Sequence, residues 1–164
     1  MNNNKLLEAM FVHDGGDPKR IQHFIKVYQF AKMIGEEEGL DDRQQHILET
    51  AAIVHDIGIR PAEEKYGSCS GKLQEQEGPA CAEAMLTGLE YDTDVIKRVS
   101  YLVGHHHTYT GVDGKDYQIL LEADFLVNLY EDGSGRETIC HTCETVFRTE
   151  TGKRLCRTMF GVEC

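Results

Sequence analysis

Residues 51–59 read Ala-Ala-Ile-Val-His-Asp-Ile-Gly-Ile, and the rest of the chain can be understood from this stretch. An apolar run leads directly into an adjacent histidine and aspartate, His55 and Asp56, and aliphatic residues follow the pair. Burying such a pair is costly unless another group pairs with it or an ion binds it. A divalent cation does both, because neutral imidazole and ionised carboxylate are good ligands for Zn, Mn and Fe. The stretch therefore predicts that residues elsewhere in the chain complete a metal site.

The composition is typical of a globular protein. The chain has 164 residues, 40% of them hydrophobic and 27% charged, and this length most simply gives one domain with a substantial core. Seventeen basic residues against 28 acidic ones give a net charge of -11. This balance argues against a nucleic-acid-binding surface, because phosphate backbones are bound mainly by Lys and Arg. A small phosphorylated substrate stays compatible with it, because bound cations reverse the local field.

The sequence shows no sign of membrane attachment or secretion. No apolar run approaches the roughly 20 residues needed to span a bilayer, and no apolar stretch long enough for a secretory signal follows the first residues. We therefore expect a cytoplasmic protein. The six cysteines are expected to stay reduced in that compartment.

Hydrophobic residues recur at helical spacing along most of the chain, and no useful strand-like alternation occurs. Asp17 and Pro18 predict the start of a helix over 18–35. The other predicted helices are one over 5–12, one from Asp41 to the His55-Asp56 pair, one that Pro79 opens, one from Asp92 into His105–His107, and those over 117–130, 137–147 and 153–160. Residues 60–76 are polar and are interpreted as a loop. The predicted fold is all-α, one domain over 1–164, with its core at about 18–130 and C-terminal helices over 136–160 packed on it.

Asp124 is a further residue that would need a hydrogen-bonding or charged partner if it is buried. It lies in a strongly apolar predicted helix, where an unpaired buried carboxylate would cost several kcal/mol. Its most economical partners are His55 and Asp56. His23 lies beside the apolar stripe of the helix over 18–35 and is another candidate, although a lone helical histidine is more often an ordinary surface or core residue.

The order His23, His55-Asp56, Asp124 resembles the HD-domain superfamily of metal-dependent phosphohydrolases, which is named for a His … His-Asp … Asp signature. The similarity extends to the neighbouring residues, which are Arg-Ile-Gln-His of 20–23, the stretch 51–58 and Leu-Glu-Ala-Asp of 121–124. The resemblance implies a helical bundle in which the four ligands converge on one divalent ion: Fe, Mn, Zn, Mg, Ni or Co.

The resemblance also implies a mechanism. A bound cation would lower the pKa of a water molecule and polarise a phosphoryl oxygen. Asp56, with His55 beside it, is the expected catalytic residue, because it can both hold the metal and orient or deprotonate the water. The expected substrate is a small phosphorylated molecule such as a nucleotide, attacked at a phosphomonoester, phosphodiester or phosphoanhydride, and the loop over 60–76 is expected to select it.

Some branches of this family carry a second metal, with extra ligands between the His-Asp pair and the last Asp. The triplet 105–107 lies where those branches place one or two histidines, and spacing from the preceding apolar residues favours His106, with His105 next. The earlier extra ligand is usually a histidine ahead of a helix start, and this chain has Glu77 there instead. Glu77 could ligate a second metal through oxygen, or it could merely cap the helix.

Two basic residues are candidates for binding phosphate oxygens. Arg60 follows Asp56 by four residues, and Lys72 lies in the predicted loop. For both, an ordinary surface charge is the favoured interpretation. Arg20 precedes His23 by three residues and could approach the same site or pair with one of the many acidic residues.

The cysteines near the end of the chain offer a rival metal site. Cys140-His141-Thr142-Cys143, together with Cys156 and Cys164, has ligands for a tetrahedral zinc ion. No second closely spaced pair accompanies them, and reduced cysteines packed between two C-terminal helices are the favoured interpretation.

Two other functions stay open on the sequence alone. Some HD-like proteins with two irons are oxygenases, and the extra candidates Glu77 and His106 leave that reaction open. A non-enzymatic, metal-binding regulatory module is the other alternative, and the complete set of four signature ligands argues against it. Beyond a small-molecule substrate, a second copy of the chain in a homodimer is the partner that the sequence allows.

Overall fold

The computed structural model describes residues 3–164, and this range is helical without a strand. Met1 and Asn2 lie outside the described residues. They belong to the N-terminal stretch in which the sequence predicts no secretory signal. The helices are α1 Asn4–His13, α2 Pro18–Glu37, α3 Asp42–Val54, α4 Ile59–Tyr66, α5 Gly71–Gly88, α6 Thr93–Val103, α7 Lys115–Glu131, α8 Arg136–Thr145 and α9 Glu150–Phe160. The prediction of an all-α fold is confirmed.

The two helices that carry the first signature residues begin at the predicted caps. The side chain of Asp17 accepts a hydrogen bond of 3.0 Å from the backbone N–H of Arg20, and Pro18 occupies the first position of α2. The side chain of Asp41 accepts one of 2.8 Å from the N–H of Gln44 at the start of α3. These local bonds satisfy N–H groups that a helix leaves free at its first turn.

The prediction of a loop over 60–76 is wrong, because α4 and the first residues of α5 occupy most of this range. Pro79 lies inside α5 and does not open it. Most of the polar residues in this range lie on helix faces that are exposed to solvent. On its inner side, α5 carries the small residues Gly78 and Ala82. A side chain at Gly58 would meet the backbone of Gly78 at 2.7 Å, so that two glycines allow the start of α4 to approach α5 closely.

The central helices enclose the end of α3. Helix α2 packs against α3 and α7, and α3 packs against α6 and α7. Fully buried apolar side chains fill the space between them, including Phe24, Ile53 and Leu120. The turn after α3 therefore lies at the meeting point of three neighbouring helices. Helix α9 packs on α8, α7 and α2.

None of the helices within residues 3–164 combines the length and the apolar character that crossing a membrane requires.

Candidate metal centre

Four polar side chains from three parts of the chain meet inside the bundle. His23 comes from α2, His55 and Asp56 from the turn after α3, and Asp124 from the middle of α7. His55 has no exposed surface, and Asp124 is only 7% exposed. The helix packing therefore brings all four signature residues together in a mostly buried position.

The distances between their polar atoms are those of a metal's ligand set. Nε2 of His23 lies 3.3 Å from Nε2 of His55, 3.3 Å from Oδ2 of Asp56 and 3.2 Å from Oδ1 of Asp124. Nε2 of His55 lies 3.3 Å from Oδ2 of Asp56 and 3.5 Å from Oδ1 of Asp124. Ligands about 2.1 Å from one cation are separated by about 3.0 Å at a right angle and about 3.4 Å at a tetrahedral angle. The residues present thus fit a single divalent ion.

The other ring nitrogen of each histidine has an acceptor that fixes the ring. Nδ1 of His55 donates to the carbonyl of Ala52 at 2.8 Å, and Nδ1 of His23 donates to Oε1 of Glu131 at 3.0 Å. Glu131 also binds Nζ of Lys26 at 3.0 Å. With Nδ1 protonated, each Nε2 presents a lone pair to the centre, which is the tautomer that a metal ligand needs. Glu131 was not predicted from the sequence.

The centre favours positive charge. Burial works against ionisation of Asp56, yet His55 and His106 hold the pKa of its carboxyl well below the ordinary value. Burial likewise opposes charge on His55, but the carboxylates of Asp56 and Asp124 raise the pKa of its imidazole well above the ordinary value. Two ionised carboxylates in a buried position call for a cation, and a divalent metal ion supplies one.

A second group of ligands lies on the other side of Asp56. Nε2 of His106 is 3.3 Å from Oδ1 of Asp56, and this buried nitrogen makes no hydrogen bond. Nδ1 of His106 donates to the carbonyl of Val103 at 2.8 Å, which again leaves Nε2 free to ligate. Ligand atoms of Asp56, His106 and His107 lie within 4.8 Å of one another. The two oxygens of Asp56 therefore face two groups, as in a carboxylate that bridges two ions.

The structure does not bring Glu77 or His105 to the centre, which corrects the prediction that they are ligands. The carboxylate of Glu77 binds the hydroxyl of Tyr66 at 2.8 Å and Nζ of Lys65 at 3.1 Å. In α5 the neighbouring residue Gly78 is the buried one, so that Glu77 points about 100° away from the inner side.

His105 is held outside the centre by its neighbours in α6. Its Nδ1 donates to the carbonyl of Tyr101 at 2.7 Å, and its ring stacks on the ring of Tyr101 with centroids 4.0 Å apart. His106 and His107 are the two members of the triplet that face the centre. The preference for His106 agrees with this geometry, whereas the order that placed His105 next does not.

The two predicted phosphate-binding residues also lie elsewhere. The guanidinium of Arg60 donates to the carbonyl of His13 at 2.7 Å and to that of Gly15 at 3.1 Å, so that it holds the α1–α2 connection. Lys72 is exposed in the first turn of α5. Neither side chain lines the cleft that leads to the centre.

That cleft has a volume of about 280 Å³ and exposes part of the ligand cluster. It is lined by Asp17, Lys19, Arg20, His23, Asp56, Ile59, Gln74, His107, Asp124, Asn128 and Glu131. Arg20 is engaged, because it pairs with Glu63 at 2.9 Å. Lys19 is exposed and has no ion pair with a carboxylate of residues 3–164. Lys19 is thus the cation at the cleft that is available to an anionic ligand.

Comparison with known proteins identifies relatives of this chain. A family model described as HD domain matches residues 20–129. The chain is also similar to a solved structure described as a predicted HD superfamily hydrolase from an uncultured Thermotogales bacterium, with 26% sequence identity and a TM-score of 0.67. That similarity covers 98% of this chain and 92% of the other. A search of curated proteins finds no match.

Proposed function

Since this chain belongs to the HD-domain family, we propose that it is a metal-dependent phosphohydrolase that cleaves a phosphate ester or anhydride in a nucleotide or a similar small metabolite. Family membership and the likeness to a predicted HD hydrolase support hydrolysis by a metal-dependent enzyme. The observation that carries the proposal is the convergence of His23, His55, Asp56 and Asp124. Nε2 of each histidine lies 3.2 to 3.5 Å from the facing carboxylate oxygens, and the two Nε2 atoms are 3.3 Å apart.

The residues divide into two sets around Asp56. His23, His55 and Asp124 would hold one cation with Oδ2 of Asp56, and His106 and His107 would hold a second with Oδ1. When bound, the cations lower the pKa of a water molecule and polarise a phosphoryl oxygen. Asp56 contributes to both sets, so that it is the residue best placed to fix a nucleophilic water relative to the substrate.

Several side chains around the cleft have supporting roles. Asn128 donates to Oδ1 of Asp124 at 2.9 Å and so orients that carboxylate. Gln74 binds the ring of His107, with its Oε1 2.8 Å from Nε2. Lys19 at the cleft can bind an oxygen of a phosphate as a point charge. The open, polar cleft suits a small anionic substrate, and this polarity supports the choice of a phosphorylated metabolite.

The two-sided arrangement around Asp56 also supports a second candidate, an HD-like di-iron oxygenase. Two histidines beyond the four signature ligands face the bridging carboxylate, as a second iron would need. Dioxygen consumption by iron-loaded protein distinguishes this reaction from hydrolysis, which consumes no dioxygen.

The test is hydrolysis of a panel of nucleotides and other phosphorylated metabolites by protein loaded with Mn, Fe, Co, Ni, Zn or Mg, followed by chromatographic separation of substrates and products, which detects the cleavage of monoesters, diesters and anhydrides alike. Asp56→Ala protein serves as the blank, and His105→Ala protein as the matched control, because His105 neighbours the site without facing it. We expect one class of phosphorylated compound to be hydrolysed by the wild type and the control only. Stoichiometric metal binding without turnover of any compound would instead favour a non-enzymatic module.

A further inference from the structure

A second cleft lies between the start of α7, the segment before it and the connection from α8 to α9. It has a volume of about 430 Å³, which is within the roughly 300 to 1,000 Å³ that small-molecule sites occupy. Among residues 3–164, this cleft and the cleft at the metal centre have no lining residue in common. We call it the α7 cleft, and it is a separate candidate for ligand binding.

The charge around the α7 cleft is opposite to that of the chain as a whole. The chain has 28 acidic and 17 basic residues. The α7 cleft is nevertheless lined by Lys115 and Arg148 and by no acidic residue of the described chain. Four other clefts in the same range, including the one at the metal centre, are each lined by at least one acidic residue. The α7 cleft therefore favours an anionic ligand.

Both cations keep their charge available for a ligand. Nζ of Lys115 donates to the carbonyl of Glu38 at 3.1 Å, and Nη1 of Arg148 donates to the carbonyl of Phe147 at 3.2 Å. These carbonyls carry no net charge, and neither cation forms an ion pair with a carboxylate of residues 3–164. An anion in the cleft would supply the charged partner that each of them lacks.

Acidic residues around the cleft are engaged by other groups. Oδ1 of Asp116 pairs with Nη2 of Arg98 at 2.7 Å. Glu122 is fully buried and accepts from the backbone N–H groups of Arg148 and Thr149, at 2.6 and 2.9 Å. These carboxylates thus have their own donors and leave the side chain of Arg148 open to the cleft.

The α7 cleft also offers aromatic and aliphatic surface. The ring of Tyr109 packs on the ring of Phe125, with centroids 5.1 Å apart, and Tyr109 is still 51% exposed. Val112, Leu121 and Val146 add aliphatic side chains to the lining. A planar ring can stack on the exposed tyrosine and contact the aliphatic groups. The lining therefore combines positive charge with a surface for a ring.

We propose that the α7 cleft binds a small organic anion that carries a planar ring, which is the chemistry of a nucleotide. Arg148 and Lys115 would bind the anionic group, the guanidinium through two parallel hydrogen bonds and the ammonium as a point charge. Tyr109 would stack on the ring. This site is independent of the proposed hydrolysis, because none of these three side chains belongs to the ligand cluster of the metal centre.

The α7 cleft and the metal centre are neighbours, so that a test has to tell them apart. Tyr109 follows His107 by two residues, and Phe125 follows Asp124 directly. His107 and Asn128 line only the cleft at the metal centre, whereas Val112 and Val146 line only the α7 cleft. The backbone amides of these two pairs therefore report separately on the two sites.

The experiment titrates the full-length, Zn²⁺-loaded protein with the methylenephosphonate analogue of adenosine monophosphate and records ¹H–¹⁵N NMR spectra. A carbon atom replaces the ester oxygen of this probe, so that the result does not depend on hydrolysis. We expect saturable shifts of the amides of Val112 and Val146. Arg148→Gln and Lys115→Gln should each weaken this binding about tenfold. Arg136→Gln, at an exposed position outside the cleft, is the matched control and should bind like the wild type.

Two further comparisons test the two parts of the ligand. Adenosine, which lacks the anionic group, should bind at least tenfold more weakly than the analogue, and Tyr109→Leu should weaken binding of the analogue. The spectra also show whether each variant is folded. Shifts confined to the amides of His107 and Asn128, the absence of saturation at millimolar probe, or equal affinity of the wild type and folded Arg148→Gln would each overturn the proposal.

Discussion

Nε2 of His55 lies 3.5 Å from Oδ1 of Asp124, at a buried point where the turn after α3 faces the middle of α7. The two residues are far apart in sequence, and each is costly to bury alone. Their proximity explains why an apolar run can end in His55-Asp56 and why an apolar helix can contain Asp124. It also makes the cluster sensitive to single substitutions, because the removal of one side chain leaves the other buried polar groups without a partner.

His106→Ala should separate the second group of ligands from the first. Its Nε2 is buried without a hydrogen bond and faces Oδ1 of Asp56. We expect turnover to fall on the order of 100-fold while an ion is retained at His23, His55 and Asp124, because two-ion sites need both cations for full activity. Metal stoichiometry and kcat measure this. His105→Ala is the matched control, and equal losses in both variants would contradict the assignment.

Glu131 should act as a positioning residue for His23. Its Oε1 accepts from Nδ1 of His23 at 3.0 Å, and substitution of such partners costs roughly 10- to 100-fold in metal affinity. We expect Glu131→Ala to weaken metal binding by this amount and Glu131→Gln, which keeps an acceptor, to recover part of it. Equilibrium metal titration gives the result. Unchanged affinity with a lowered melting temperature would show that Glu131 is merely structural.

Lys19→Ala should weaken substrate binding without changing metal affinity. The ammonium lines the cleft without a carboxylate partner among the described residues, and a charge-assisted hydrogen bond to phosphate is worth about 1.5 kcal/mol or more. We expect KM to rise about tenfold. Lys72→Ala is the control, since Lys72 is exposed outside the cleft. A larger effect of Lys72→Ala would contradict this assignment and would instead make Lys72 the phosphate-binding residue.

Glu38→Gln should reveal how α9 is held on the body of the protein. Oε1 of Glu38 accepts from the N–H of Thr151 at 2.9 Å, and hydrogen bonds with Thr151 lower the pKa of this carboxyl below its ordinary value of 4.5. The ionised form is thus favoured by folding. Its contribution is present above pH 4.5 and is lost as the pH falls through the lowered folded-state pKa.

Denaturant unfolding at several pH values measures this contribution. At pH 7 the variant should be less stable by about 1 kcal/mol or less, because the site is partly exposed. The difference from the wild type should shrink below pH 4.5. Glu36→Gln serves as the control at an exposed position of α2. A difference that grows on acidification would have the wrong sign for this account.

The signature residues could be predicted because the local sequence shows that burying them would cost free energy. Polar groups in apolar helices stand out in the sequence, and Asp124 and the His55-Asp56 pair are of this kind. Asn128 and Glu131 were missed, although a signal existed. They follow Asp124 by four and seven residues, so that all three share one face of α7.

Other features could not be read from local patterns. The role of His107 depends on how α5 packs against the end of α6, since its Nε2 is 2.8 Å from Oε1 of Gln74. The error over 60–76 has a similar cause. Polar composition suggested a loop, whereas Gly58 and Gly78 mark a close helix contact that only the tertiary structure reveals.

The most direct test of the central claim is anomalous X-ray scattering from crystals of protein loaded with Mn, Fe or Zn. The account predicts an anomalous peak about 2.0–2.3 Å from Nε2 of His23, Nε2 of His55 and the facing oxygens of Asp56 and Asp124. Metal-loaded crystals without a peak bonded to these four residues would contradict it.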